Sequence, residues 1–530
     1  MTLDSVAARA PDGTLLFDNL NLAIGRERTG LVGRNGVGKS TLLRLISGDQ
    51  PPAEGAIARA GTIGLLTQSH DPRLGETAAD VLGVAQPLAL IDRILAGEGS
   101  PQDFDDADWT LRDRLDEALD RVGLAGLRPE RPTAGLSGGE RTRLRLAALL
   151  VARPDVILLD EPTNHLDAEA RRIVTEVVGG WDGGAVVVSH DRDLLRRMDR
   201  IVELSSLGAA VYGADYDLYA ARKAVEREAA ERGLDAAERV VTRAARDARR
   251  EAEKKARRDS AGRRMAAGGG APRIVLGAMA ERAETSAAQG RAIAARRQAE
   301  AEAALEAARE RVERTRDLSI PMPATGLAAG KTVLELEDVR ADFGSPRDDG
   351  GERGLGPISL RITGPERVAI TGPNGSGKTT LLKLMADLIE PTSGVVRRPV
   401  PAALLDQDAA VLKPDETLIE AWRRLNPEGS ANDAHAALAR FLFRNAQAHR
   451  RVGDLSGGER LRAALACVMT GVRPPPLLIL DEPDNHLDLE SLAAVEAALG
   501  AYDGALVIVS HDPVFIDQVG ISRIVALPRA

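Results

Sequence analysis

Two short apolar runs, Val156 to Leu159 and Leu477 to Leu480, each lead straight into an acidic octapeptide, DEPTNHLD at 160–167 and DEPDNHLD at 481–488. An apolar run of this length ended by acids predicts a buried strand that delivers two adjacent carboxylates to its end. Two further strands, in TGLVG and VAITG, run into glycine-rich loops, and the helices beginning STLLRLIS and TTLLKLMADL follow them. Strands and amphipathic helices in alternation predict an α/β fold with a mostly parallel sheet, whose ligands bind at the carboxyl ends of the strands. In the middle of the chain this alternation stops. From YAARKAVEREAAERG to ARERVERTRDL, Ala, Arg and Glu dominate, and Gly268 to Gly270 with Pro272 mark a break. Two antiparallel helices with a loop at their far end are predicted, each arm of about 45 residues extending roughly 65 Å.

The octapeptide is one part of a long internal repeat. GRNGVGKST (33–41) returns as GPNGSGKTT (372–380), LSGGER at 136 returns at 455, and VVSHD (187–191) returns as IVSHD (508–512), in the same order. Gly33 to Gly372 and Gln68 to Gln407 are both 339 apart, whereas Ser137 to Ser456 is 319 and His190 to His511 is 321. The first copy therefore holds about 20 extra residues between Gln68 and Leu136, read as an acidic, mainly helical insertion. The predicted organisation is a first domain over 1–215, with that insertion at about 95–125; a helical hairpin over 216–318, its tip at about 265–278; a connector over 319–331; and a second domain over 332–530.

Charge changes the picture of the middle segment. The chain as a whole carries a net charge of -9, yet residues 243 to 297 hold 15 basic against 6 acidic residues. A basic module is thus set between two acidic ones. The single cysteine, Cys467, excludes a disulfide framework, a zinc cluster and an iron–sulfur cluster built within the chain. No stretch approaches the roughly 18 uninterrupted apolar residues of a membrane span, and the N-terminus lacks the features of a signal peptide, so a cytoplasmic protein without direct membrane insertion is expected.

The two glycine-rich loops fit the P-loop pattern, in which backbone N–H groups wrap phosphates at a helix N-terminus. The candidate phosphate-binding residues are Gly33, Asn35, Gly36, Gly38, Lys39, Ser40 and Thr41, with Gly372, Asn374, Gly375, Gly377, Lys378, Thr379 and Thr380 in the second copy. Lys39 and Lys378 suit the β and γ phosphates, and the Ser40 and Thr379 hydroxyls suit Mg2+. A Mg-nucleotide site also needs an acid for the metal and a group for the attacking water. Asp160 and Asp481 fit the first role, Glu161 and Glu482 the second.

P-loop, LSGGE, DEPTNHLD and SHD together resemble the nucleotide-binding domain of ABC ATPases, and the likeness covers both halves of the chain. It implies two ATP sites in a functional dimer of domains within one chain. Ser137 and Gly139 would contact ATP on the second P-loop, and Ser456 and Gly458 ATP on the first. It also assigns Gln68 and Gln407 to Mg2+ and the water, and His190 and His511 to the γ phosphate. The family stacks an aromatic on adenine; the second copy has Phe343 ahead of its P-loop, whereas the first offers only ARAPDGT. A second departure is Asp484, where the first copy has Thr163.

Tandem cassettes with NHLD after the acids and a long charged linker between them resemble the ABC-F family, which acts on ribosomes. On composition alone the linker is open to two readings, a solvated coiled coil or an arm for a polyanion such as RNA. Aromatic residues amount to only 2% of the chain, which disfavours base stacking on single strands. The resemblance favours RNA, with Arg257, Arg258, Arg263, Arg264, Arg273 and Arg282 near the tip as candidate contacts and the ribosome, through rRNA and P-site tRNA, as partner. The alternative is the ATPase subunit of a transporter with separate membrane partners.

Overall fold

The computed structural model describes residues 1–68, 72–205, 208–213, 215–267, 295–296, 298–308, 322–346 and 352–528. They separate into two compact units, Met1–Tyr219 with Leu318–Ala530, and Ala220–Asp317. The first unit contains both copies of the repeat.

In each copy the central sheet is built on parallel strands, and its inner strands are buried on both faces. Its order in the first copy is Ile63–Leu66, Val156–Asp160, Gly184–Val188, Arg28–Val32, Arg200–Ser205, with Gly208–Gly213 added antiparallel at the edge. The second copy repeats it as Ala402–Leu405, Leu477–Asp481, Ala505–Val509, Arg367–Thr371 and Arg523–Ala526. Because side chains alternate across a strand, Ile157 and Leu159 face one core while Val156 and Leu158 face the other. Leu478 and Leu480 against Leu477 and Ile479 do the same in the second copy. This two-sided burial is why these strands read as unbroken apolar runs.

A three-stranded antiparallel sheet covers one face in each copy, Leu15–Ala23, Thr2–Arg9 and Glu54–Ala58 in the first and Glu352–Thr363, Thr332–Pro346 and Ser393–Arg397 in the second. Helices pack on the other. Between the helix Ala78–Leu82, capped by Thr77, and the helix Leu111–Arg121 the first copy carries two helices, Ala85–Leu95 and Pro101–Asp106. In the second copy Leu418–Leu425 is followed directly by Ala431–Arg440.

One topological fact positions the chemistry. The strand that leads to the SHD histidine lies between the strand ending in the paired acids and the strand entering the P-loop. Asp160 pairs in register with Val188, and Asp481 with Val509, so acid, histidine and loop emerge at one sheet end.

The second unit holds all but the first turn of the helix Tyr216–Ala267, 52 residues long and about 80 Å at the standard rise. Residues 298–308 are helical, with Ala301 and Leu305 buried one turn apart. Most of the predicted hairpin tip lies outside the described residues, and so do Arg273, Arg282 and the side chains of Arg258, Arg263 and Arg264.

Candidate nucleotide sites at the junction of the two copies

Each P-loop is built on left-handed glycines that no other residue replaces cheaply. Gly33 has φ 147°, and a Cβ there would lie 2.4 Å from the Leu204 carbonyl oxygen. Gly38, at φ 102°, turns the chain into the helix Lys39–Ser47; Gly377, at φ 87°, does the same for Lys378–Met385. The Lys39 ammonium donates to the carbonyls of Gly33 (2.6 Å) and Arg34 (3.2 Å), and Lys378 to those of Gly372 (2.9 Å) and Pro373 (3.1 Å). Burial pulls the pKa of both lysines down, opposed at Lys39 by Glu161, Asp488 and Asp160 and at Lys378 by Glu482, Asp167 and Asp481.

Two of those acids belong to the opposite copy. Asp488 accepts at Oδ1 from Ser491 N (2.7 Å), capping its own helix, and at Oδ2 from Asn35 N of the first P-loop (2.8 Å). Asp167 accepts from Ala170 N at Oδ1 (3.0 Å) and from Asn374 N at Oδ2 (3.3 Å). The Asn35 and Asn374 side-chain amides also donate across, to the carbonyls of His486 (2.9 Å) and His165 (3.0 Å). The His165 and His486 rings meet edge to face, centroids 4.6 Å apart. The copies therefore face each other in a pseudo-twofold arrangement, each P-loop held by the other's NHLD turn.

The first site is a cleft of about 600 Å³, lined by Asn35, Gly36, Gly38, Lys39, Ser40, Thr41, Gln68, Asp160, Glu161 and His190, with Gly457 and His486 from the second copy. Gly458 abuts the Asn35 amide. Ser456 and Ser137 are the N-caps of Gly457–Met469 and Gly138–Ala152, each in a reciprocal capping box with Glu459 or Glu140. Both signature serines thus present their hydroxyls at the positive end of a helix. Ala10, Pro11 and Leu16 give the first cleft an apolar wall without an aromatic ring. The Phe343 side chain lies outside the described residues.

The carboxylates are arranged alike in both copies, and their partners differ. The Ser40 hydroxyl hydrogen-bonds Asp160 and the Thr379 hydroxyl Asp481; burial raises the pKa of both acids. Asp481 Oδ1 is sealed from solvent without a hydrogen-bond partner among the described residues. Carboxylate and hydroxyl oxygens side by side, with an acceptor to spare, fit Mg2+, which takes few protein ligands and keeps water and phosphate oxygens. Among the described residues no cluster of three His, Cys, Asp or Glu could hold a metal by itself.

Glu161 and Glu482 occupy left-handed backbone, φ 48° and 49°, fixed by bonds from their N–H groups to Val188 O and Val509 O. His190 Nε2 lies 3.0 Å from Glu161 Oε1, out of hydrogen-bonding alignment. In the second copy Glu482 Oε2 accepts from Gln407 (2.8 Å) and Asn485 (2.6 Å). Burial, with Asp481 beside it, raises the Glu482 pKa. Burial, with Lys378 and Arg171 nearby, pushes His511 down to about 4, so this imidazole is neutral at pH 7. Asn485, Asp167 and Asp488 gain their roles only here, although all three lie inside the repeated octapeptide that signals the site in the sequence.

The sequence profile of the ABC transporter family matches residues 17–164 and 355–485. The chain is 34% identical to the tylosin resistance ATP-binding protein TlrC of Streptomyces fradiae, over 97% of this chain and 94% of that one. It is 31% identical to the energy-dependent translational throttle protein EttA of Mycobacterium tuberculosis, over 96% and 88%. Among solved structures, an archaeal ribosome recycling factor in complex with a ribosomal stalk protein shares the tandem fold, with a TM-score of 0.56 at 20% identity, covering 98% of this chain and 87% of that one.

Proposed function

The chain belongs to the ABC-F family of ATP-binding, ATP-hydrolysing proteins, and on that premise we propose that it binds the ribosome in its ATP-closed state and acts on translation through its basic linker near the P-site tRNA. One observation carries the proposal beyond the family. Arg239, Arg243, Arg246, Arg250, Lys254 and Arg257 are all exposed on the long linker helix. Spaced by three or four residues, they fall within one stripe of the helix surface, about 27 Å long. Arg243 lies 4.0 Å from Asp247, one of the acids interspersed along this helix, and the six basic residues leave the stripe in cationic excess. A straight row of cationic groups on a chain of net charge -9 suits the phosphates of structured RNA. The candidate contacts drawn from the sequence lie nearer the tip; this stripe adds a second, proximal set.

The cycle follows from the site. ATP on each P-loop would be clasped by Ser137 and Gly139 or by Ser456 and Gly458 of the opposite copy, so two nucleotides draw the copies together. Ser40, Gln68 and Asp160, with Thr379, Gln407 and Asp481, would hold Mg2+, which when bound neutralises charge on the β and γ phosphates. Glu161 and Glu482 would orient the attacking water, with His190 and His511 at the γ phosphate, and hydrolysis would release the closed state. The name of EttA, a translational throttle, points the same way. No described helix is long and apolar enough to cross a membrane. The cycle would run in the cytoplasm, where the ribosomes are.

Reversing Arg243, Arg246 and Arg250 to Glu tests the stripe. Ribosome affinity should fall by about tenfold or more, and the slope of log affinity against log salt should drop by about 3, one for each phosphate no longer neutralised. Unchanged affinity and slope would overturn the linker assignment. Retained binding to a membrane partner after deletion of residues 243 to 297 would favour the transporter alternative.

A further inference from the structure

The two copies are not equivalent where they meet, and the differences are complementary. Arg192 of the first copy makes a nearly buried, two-pronged ion pair with Glu496 of the second (2.8 and 2.9 Å). Arg34 makes a second two-pronged pair, more exposed, with Glu490 (2.6 and 2.7 Å). Each arginine comes from the first copy and each acid from the second. At the positions related by the repeat, Arg192 corresponds to Pro513, Glu496 to Thr175 and Arg34 to Pro373, so the mirror contacts cannot form.

A third arginine of the first copy reaches the ATP machinery of the second. Arg171, four residues past the NHLD turn of the first copy, shares a cleft with His511 of the second. Its Nε lies 3.6 Å from Asp191 Oδ2 and has no hydrogen-bond partner among the described residues. Its charge is the strongest influence opposing the rise that burial gives the Asp484 pKa, and it acts in the same sense at Glu482. Asp484 Oδ2 accepts from the Ser510 hydroxyl (3.0 Å), and Ser510 directly precedes His511. Asp484 Oδ1 is sealed from solvent without a partner among the described residues. The repeat has Leu492 for Arg171 and Thr163 for Asp484, both buried and uncharged.

We propose that Asp484 is a positioning residue of the second ATP site, holding the Ser510–His511 turn in a geometry that depends on Arg171 arriving from the first copy. The second site thereby reads engagement of the other copy through a charge link that the first site lacks. This rests on Glu161 and Glu482 being the catalytic glutamates, and single-turnover hydrolysis by the full chain separates the two claims. Glu161→Gln leaves only the second site active, and Glu482→Gln only the first. Asp484→Thr should slow single turnover at the second site about tenfold, with the ATP concentration for half-maximal rate changed less than threefold, and leave the first site within twofold. Arg171→Leu should slow the second site comparably but add less than a twofold effect on top of Asp484→Thr, since coupled residues are not additive. Arg171→Lys, which keeps the charge, should retain at least a third of the rate. Equal slowing at both sites, no slowing at either, or multiplying effects of the two changes would overturn the link. Hydrolysis persisting in the Glu161→Gln and Glu482→Gln double variant would instead overturn the glutamate assignment.

Discussion

Glu161 and Glu482 are held in left-handed backbone that non-glycine residues avoid, at a cost of about 1–3 kcal/mol each, and each hangs from a single backbone bond to the neighbouring strand. Strain repeated at the same position in both copies marks residues whose direction matters more than their comfort. Replacing both with Gln should lower steady-state ATP turnover by about 100-fold or more while nucleotide binding persists; a loss of less than tenfold would argue against their role. Asp484 gives a second test at this scale. Burial, only partly offset by Arg171 and aggravated by Asp512, raises its pKa to about 7 from an ordinary 3.8. A carboxyl that holds its proton more tightly folded than unfolded contributes stability at low pH and loses it as pH rises through that window. Denaturation midpoints of the native chain should therefore fall relative to Asp484→Thr between pH 4 and pH 7, and parallel curves would contradict the burial argument.

Elements carry the next set of constraints. Within a copy the P-loop helix packs on one face of the sheet and the signature and NHLD helices on the other, yet the first cleft brings together the start of its own P-loop helix and the start of the second copy's signature helix, so two helix N-termini meet where phosphate would sit. The capping boxes at Ser137 and Ser456 serve both helix and site. Ser456→Ala should cost about 1 kcal/mol of stability and also raise the ATP concentration needed at the first site; a stability loss alone would make the serine purely structural. Most of this level is legible in the sequence. Strands buried on both faces announce themselves as apolar runs, and glycines in fixed order announce the loops. The linker stripe is equally present in the spacing from Arg239 to Arg257, but the charge excess and the glycine break point more loudly to the tip.

At the scale of the molecule, what the sequence hides is what crosses between copies. An aspartate that caps its own helix looks complete in one dimension, and nothing in NHLD discloses that the second oxygen of Asp167 or Asp488 binds the other P-loop. The same holds for the pairs Arg34–Glu490 and Arg192–Glu496, whose members are 456 and 304 residues apart. They break the symmetry of the repeat, and only the structure shows the breaks to be matched. Glu496→Ala should destabilise the chain by about 3 kcal/mol through the stranded Arg192, read as a lowered denaturation midpoint, whereas joint replacement with Arg192→Leu should recover most of the loss. Such one-sided pairs favour first copy on second over like on like. That arrangement makes ATP-driven closure a property of the single chain, and closure is the state proposed to engage the ribosome. Co-sedimentation of the Glu161→Gln and Glu482→Gln variant with purified ribosomes, with and without ATP, tests this most directly. The protein should travel with ribosomes only when ATP is present; a variant that stays at the top of the gradient in both, at low and moderate salt, would overturn ATP-gated engagement.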